Sequence, residues 1–186
     1  MEKPVYDRAY FNRFDRDART DLGKALMRAR VDFIDQHYRG TLIDVGIGSG
    51  AFIEARGNHR TTYGYDVNLT GIEWLERRQL FVNPYFVKFD AASLWDVLEH
   101  IPDFGPLLDN VRDWLFLSLP IFYSADHALG SKHFRPNEHY WYFTRGGLIH
   151  TMEICGFELV SESNVETELG REDIGTFAFR RVHDRL

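Results

Sequence analysis

Apolar positions along the chain recur first at helical and then at strand spacing. Leu22, Leu26, Ala29 and Phe33 fall on one face at intervals of three and four, which predicts a helix over about 21–38, closed by Gly40. Before it, residues 1–18 are aromatic and charged without a clear period. Thr41, Leu42, Ile43, Asp44 and Val45 form a short apolar run followed at once by glycines, the pattern of a buried strand. A helix over about 50–57 follows. A second strand over 61–65 ends at Asp66, and Thr70 with Glu73 has the capping-box spacing that opens a helix through about 79. Two further apolar strands are predicted over 91–95 and 114–121, with a helix near 106–111 between them. Thr144 caps a helix whose Leu148, Met152 and Cys155 share a face before Gly156 stops it, and 157–161 with 176–182 have β character.

Alternating strands and helices imply an α/β fold with a parallel sheet, and the last two segments would close it as an antiparallel pair. With 186 residues and neither repeats nor a linker, one domain is expected. In it, 1–39 serve as an N-terminal lid and helix, 40–121 as a ligand-binding core, and 122–186 as the closing segment. The hydrophobic share of 44% and charged share of 27% are those of an ordinary folded domain. A net charge of -6 argues against gripping a phosphate backbone, so nucleic acid is a disfavoured partner, although a local basic patch would permit it. Met1, Glu2, Lys3 and Pro4 lack the apolar run of a secretory signal, and no stretch approaches the ~20 apolar residues of a membrane span. A cytoplasmic protein without a membrane partner is expected. The single cysteine, Cys155, reads as core.

Chemistry enters at Gly46, Gly48 and Gly50, where a strand turns into a helix. Glycines there let a ligand approach the backbone, and the helix N-terminus offers unpaired N–H groups. Asp66, at the end of the next strand, is placed to accept two ribose hydroxyls. Because Gly46, Gly48 and Ala51 also satisfy the dinucleotide fingerprint, the glycines alone leave two cofactor classes open. Asp44 shifts the balance: a carboxylate two residues before the first glycine suits an ammonium group and repels a pyrophosphate.

The run Leu94-Trp95-Asp96-Val97-Leu98-Glu99-His100-Ile101-Pro102-Asp103 follows the strand over 91–95. Together with Asp44-x-Gly46-x-Gly48-x-Gly50 and Gly64-Tyr65-Asp66-Val67-Asn68, in that order and spacing, it closely resembles the class I S-adenosylmethionine-dependent methyltransferases, in particular their ubiquinone-biosynthesis and type 11/23 branch. The resemblance covers about 40–121, and the segment 132–144 is similar to a part of the same branch. It implies a Rossmann-like fold: a mostly parallel seven-stranded or reduced sheet, helices on both faces, and an antiparallel C-terminal pair. It further implies that Asp44 and the glycines meet the methionine moiety of S-adenosylmethionine, Asp66 the ribose and Val67 an adenine face. Trp95, Asp96 and His100 would line the cleft. Only residues 80–89 separate the helix from the next strand, so the third strand must be short and its following helix absent.

Methyl transfer needs a dry, closed pocket, and the aromatic residues fit that need. Tyr6, Tyr10 and Phe11 are candidates for a lid over the cofactor, and Tyr140, Trp141 and Tyr142 for the wall of an acceptor site. A hydroxyl or ammonium acceptor must lose a proton, for which His100, His133 and His139 are the candidate bases, His100 first. His127, His133 and His139 recur every six residues, a spacing that fits neither a helical metal pair nor a short zinc site, so no metal is expected. The acceptor reads as a small molecule, and oligomeric state is open. A nicotinamide-dependent oxidoreductase and a cofactor-binding relative without turnover are the competing functions.

Overall fold

The computed structural model describes residues 6–57 and 60–182, so the Met1 to Pro4 segment read above for its polarity lies outside the described residues. The first two helices are α1 (Arg8–Ala18) and α2 (Asp21–Asp35), started by Asp7 and Thr20, whose side chains accept from the backbone N–H of Tyr10 and Gly23. β1 (Leu42–Val45), α3 (Ala51–Arg56), β2 (Thr62–Tyr65) and α4 (Leu69–Glu76) follow. β3 (Phe89–Trp95) leads through a single 3₁₀ turn, Leu98–His100, to α5 (Gly105–Leu108) and the long β4 (Val111–Phe122). The remainder is α6 (Ala125–Gly130), β5 (Phe143–Thr144), α7 (Arg145–Ile154), β6 (Phe157–Ser163), α8 (Val165–Glu168) and β7 (Ile174–Arg181).

The strands lie in the order β2-β1-β3-β4-β7-β6, with β5 paired to the far end of β4. The pairs β1–β2, β1–β3, β3–β4 and β4–β5 are parallel, whereas β7 runs antiparallel to both β4 and β6. The expected α/β sheet with its antiparallel C-terminal pair is therefore present. Its third strand is reduced to one parallel bridge, Gly64 to Phe81.

Alternation along β4 divides the core in two. Leu115, Leu117 and Leu119 join Leu94, Leu107, Leu148 and Met152 on the α5/α7 face, while Trp114 and Phe116 join Phe33, Ile34, Phe52 and Trp95 on the α2/α3 face. No helix among the described residues is long and apolar enough to cross a membrane.

Several elements depart from the sequence expectation. The aperiodic 1–18 region contains α1, whose single buried residue, Phe11, leaves a face too narrow to register as a pattern. α2 buries Gly23, Arg30, Phe33 and Ile34, so its inward face is rotated from the Leu22 stripe, and Leu22 is half exposed. α4 is capped by Asn68, whose side chain accepts from Thr70 N–H, not by Thr70 itself. β4 is longer than 114–121, α5 is shorter than 106–111, and β5, α6 and α8 are too short for any periodicity to show.

Candidate active site

After β1 the backbone enters left-handed geometry at Gly46, Gly48 and Gly50, with φ of 74°, 57° and 81°. A Cβ at Gly46 would lie 2.4 Å from a Val97 methyl, and one at Gly50 2.6 Å from the Trp74 ring. At Gly48 the nearest atom is the Phe14 ring at 3.8 Å, an ordinary contact, so a Cβ there would fit against α1 without a clash. Gly46→Ala is expected to cost about 2–4 kcal/mol of stability, the sum of left-handed backbone strain and a forced shift of Val97. Urea unfolding measures it, and a loss under 1 kcal/mol would show that Val97 yields freely.

Asp44 lies behind this turn with 1% of its surface exposed, and its carboxylate accepts from Ser93 Oγ at 2.7 Å. Burial pushes its carboxyl up to about 7, against the pull of the Ser93 hydrogen bond and the Arg30 charge. Asp66 caps the end of β2 and is also buried, which raises its pKa despite backbone donors. One oxygen accepts from Asn68 N–H at 2.8 Å and the other from Gly48 N–H at 3.3 Å, so the two chain turns share one carboxylate. Val67, next to it, is 64% exposed.

Asn68 also donates through Nδ2 to the Asp7 carbonyl at 2.9 Å, tying the start of α1 across this turn. The aromatic edge of α1 that results is Tyr6, Tyr10 and Phe14, with ring centroids 5.1 and 4.8 Å apart along the series. Phe14 thus takes the place expected of Phe11, which turns into the protein with 9% exposure. Burial pushes the Tyr6 phenol up to about 12, reinforced by Tyr10, Glu138, Asp66 and Glu99.

Trp95 and Asp96 point elsewhere than the resemblance implies. The Trp95 ring packs on Phe52 and under the Arg30 guanidinium on the α2/α3 face. Asp96, in left-handed backbone at φ 57°, receives Arg30 at 3.1 Å and Arg171 at 3.0 Å. Burial alone would raise its carboxyl, but the two guanidiniums hold it below the usual range. Both arginines also bind Glu166, which is fully buried. The carboxylate and indole expected in the cleft instead tie β3 to α2 and α8.

The 3₁₀ turn carries the third group. The Glu99 carbonyl accepts from Tyr140 N–H at 2.8 Å and Trp141 N–H at 3.3 Å, and Trp141 Nε1 donates to the Ile101 carbonyl at 2.9 Å. These bonds clamp the 138–141 segment to the turn and bring His139 against His100, ring centroids 4.5 Å apart and perpendicular. His100 Nδ1 lies 3.1 Å from the Glu138 carbonyl. A carbonyl only accepts, so Nδ1 carries the proton and Nε2 presents a lone pair. Burial lowers the pKa of His100 and, together with the neighbouring His100, lowers His139 to about 4. Burial pushes Glu99 the other way, up to about 8, helped by the Asp96 charge. His133 stands apart from this group, its Nε2 2.9 Å from the Glu172 carbonyl, and His127 stacks on Tyr123 beside Asp173.

Of the candidate residues, the structure gathers Asp44, the three glycines, Asp66, Val67 and Tyr10 around one turn, and His100 with His139 at the other end of the cleft. Ser93, Asn68, Arg30, Glu166 and Arg171 were not foreseen. Arg30 did leave a signal, a charge at the spacing of an inward helix face, whereas nothing in the local sequence marks Glu166 or Arg171.

The fold is shared by many solved methyltransferases. Magnesium protoporphyrin IX methyltransferase (ChlM) from Synechocystis PCC 6803 with bound SAH superposes with a TM-score of 0.68 at 14% identity, over 95% of this chain and 96% of that one. An S-adenosylmethionine-dependent methyltransferase from Clostridium acetobutylicum ATCC 824 gives 0.66 at 12% identity, over 93% and 99%. The small RNA methyltransferase HEN1 gives 0.59 at 17% identity, over 89% of this chain and 26% of that one. No curated protein matches the chain in sequence. A family model described as a methyltransferase domain matches residues 14–162, which is most of the chain, and the chain belongs to that family, within the class I S-adenosylmethionine-dependent methyltransferases.

Proposed function

We propose that this chain, as a single cytoplasmic domain, transfers the methyl group of S-adenosylmethionine to a small-molecule acceptor. The observation that carries this reading is the buried Asp44 behind a left-handed glycine turn, with Asp66 at the adjacent strand end. A buried carboxylate at that place is matched to an ammonium group and opposed to a pyrophosphate, which disfavours the nicotinamide-dependent oxidoreductase.

Bound there, S-adenosylmethionine supplies a methyl carbon activated by a sulfonium. Asp44 would hold the amino-acid ammonium, Asp66 the ribose hydroxyls, and Val67 a face of the adenine. Tyr6, Tyr10 and Phe14 would exclude water above them, so that little solvent must reorganise as positive charge leaves the sulfur. An acceptor held there would take the methyl group on the side opposite sulfur, and the electron pair of the broken bond would stay on sulfur. His100 and His139 stand at the end of the cleft where an acceptor and its departing proton would lie. Beyond them, an open apolar recess of about 390 Å³ between Phe122, Ala128, Leu129, Phe134 and Tyr142 suits the body of a small molecule. The -6 net charge makes a nucleic-acid acceptor the less favoured choice.

Calorimetric titration with S-adenosylmethionine, with a nicotinamide dinucleotide as control, tests the reading. Micromolar binding of the first alone is expected, and binding of the dinucleotide alone would overturn it. Binding without methylation of any acceptor in a broad screen would identify the cofactor-binding relative instead. The pH dependence is part of the same test. In the free protein Asp44 titrates at about 7, so below that pH binding of the ammonium must expel a proton. Affinity should rise by up to about tenfold per pH unit as pH approaches 7, level off, and fall once the ligand amine deprotonates near about 8. Its contribution to apo stability has the opposite sign: a raised carboxyl pKa favours the folded state at low pH, and this advantage fades between about 4 and 7. Affinity that is flat from pH 5.5 to 7 would remove the Asp44–ammonium pairing.

A further inference from the structure

Glu99 poses a problem that the methyl-transfer reading does not absorb. Its side chain is 2% exposed, and Oε2 is buried without a hydrogen-bond partner. Buried polar atoms are nearly always paired, and an orphaned carboxylate oxygen is costly unless something absent from the polypeptide completes it. The groups beside it are two imidazoles. One ligating atom each from Glu99, His100 and His139 lies within 4.8 Å of the other two.

We propose that Glu99, His100 and His139 form a binding site for one divalent first-row transition-metal cation. Two ligands about 2.1 Å from a common ion stand roughly 3–4 Å apart, so the set needs to close by only about 1 Å, within the reach of side-chain rotation. His100 is oriented for the task. Its Nδ1 proton points at the Glu138 carbonyl, which leaves Nε2 as the ligating atom and is the outer hydrogen bond that metal-bound histidines ordinarily make. His139 is fixed beside it by the two N–H bonds from residues 140 and 141 to the Glu99 carbonyl. Asp96 is excluded as a ligand, because both of its oxygens are taken by Arg30 and Arg171.

Two nitrogens and one oxygen favour a borderline cation such as Zn²⁺, Co²⁺ or Fe²⁺ over Mg²⁺ or Ca²⁺, which take oxygen ligands. Three protein ligands also leave coordination positions open, as in catalytic metal sites. If the methyl-transfer reading holds, those positions would take an acceptor oxygen and lower the pKa of its hydroxyl, which makes the acceptor an oxygen nucleophile.

The test uses neither cofactor nor acceptor, so its outcome is separate from that of the methyltransferase reading. The full chain, freed of metal with a chelator, is titrated calorimetrically with ZnCl₂ alone, beside His139→Ala and Glu99→Gln variants whose circular dichroism matches the parent. One saturable micromolar site is expected, weakened at least about tenfold in each variant and not displaced by millimolar Mg²⁺. The unaltered chain is examined in parallel by imidazole NMR, where Zn²⁺ should shift the resonances of His100 and His139 among the eight histidines. Absence of saturable binding, equal affinity in a folded variant, or shifts confined to other histidines overturns the proposal. Should neither variant fold, the NMR result alone decides it.

Discussion

Arg30→Met is expected to lower the unfolding free energy by about 3–5 kcal/mol. Arg30 is 6% exposed and binds Glu166 at 2.8 and 3.0 Å, Asp96 at 3.1 Å and Ser118 Oγ at 3.3 Å. Its removal leaves Arg171 alone to balance two carboxylates, one of them wholly buried. The cost arises from the charge left behind more than from the pair itself, since desolvation offsets most of the attraction within a buried ion pair. The double variant Arg30→Met with Glu166→Leu should therefore recover more than half of the loss. Urea unfolding of the parent and both variants checks this. A double variant no more stable than the single would mean that the arginine acts through packing on Trp95, whose ring it covers at 5.0 Å. Because the network ties α2 and α8 to the end of β3, its loss should also loosen the turn that carries Glu99 and His100.

Asp66→Asn is expected to weaken S-adenosylmethionine binding about a hundredfold while leaving the fold intact. A carboxylate accepts from two vicinal hydroxyls at once, and hydrogen bonds to a charged group contribute about 1.5–3 kcal/mol each. An amide keeps one acceptor and turns a donor toward the second hydroxyl, so at least one bond and the charge are lost. Its remaining oxygen can still accept from Asn68 N–H, the contact that holds the turn at 2.8 Å. Calorimetry gives the affinity, and a thermal unfolding midpoint within a few degrees of the parent shows that the turn survives. Unchanged affinity would remove the ribose assignment.

The proposed cofactor half of the site was readable because its determinants are local. Asp44, Gly46, Gly48 and Gly50 belong to one turn, and a left-handed backbone at three closely spaced positions strongly favours glycine. Asp66 follows from strand periodicity, and the missing third strand follows from the few residues available for it, now a single bridge at Phe81. The resemblance to methyltransferases rested on the same local motifs, and the family match over residues 14–162 agrees with it.

The proposed acceptor half was only half readable. Motif spacing brought His100 to the cleft, but nothing in the chain near 139 says that His139 stands 4.5 Å from it, while His133, equally spaced and equally titratable, does not. That choice is made by Tyr140 and Trp141 N–H groups finding the Glu99 carbonyl. The same motif misled at Asp96: a carboxylate at a strand end looks free in sequence, and becomes unavailable once Arg30 and Arg171 close on it from α2 and from the residues just before β7.

By itself, then, the sequence determined the order of the longer strands and helices from α2 onward, the glycine turn, and the class of cofactor it suits, since each depends on backbone geometry and periodicity within about twenty residues. The tertiary structure alone decided which titratable groups meet. Ion pairs and perpendicular imidazoles depend on distances between segments far apart in the chain, and those distances are set by sheet order and core packing, which no local pattern records.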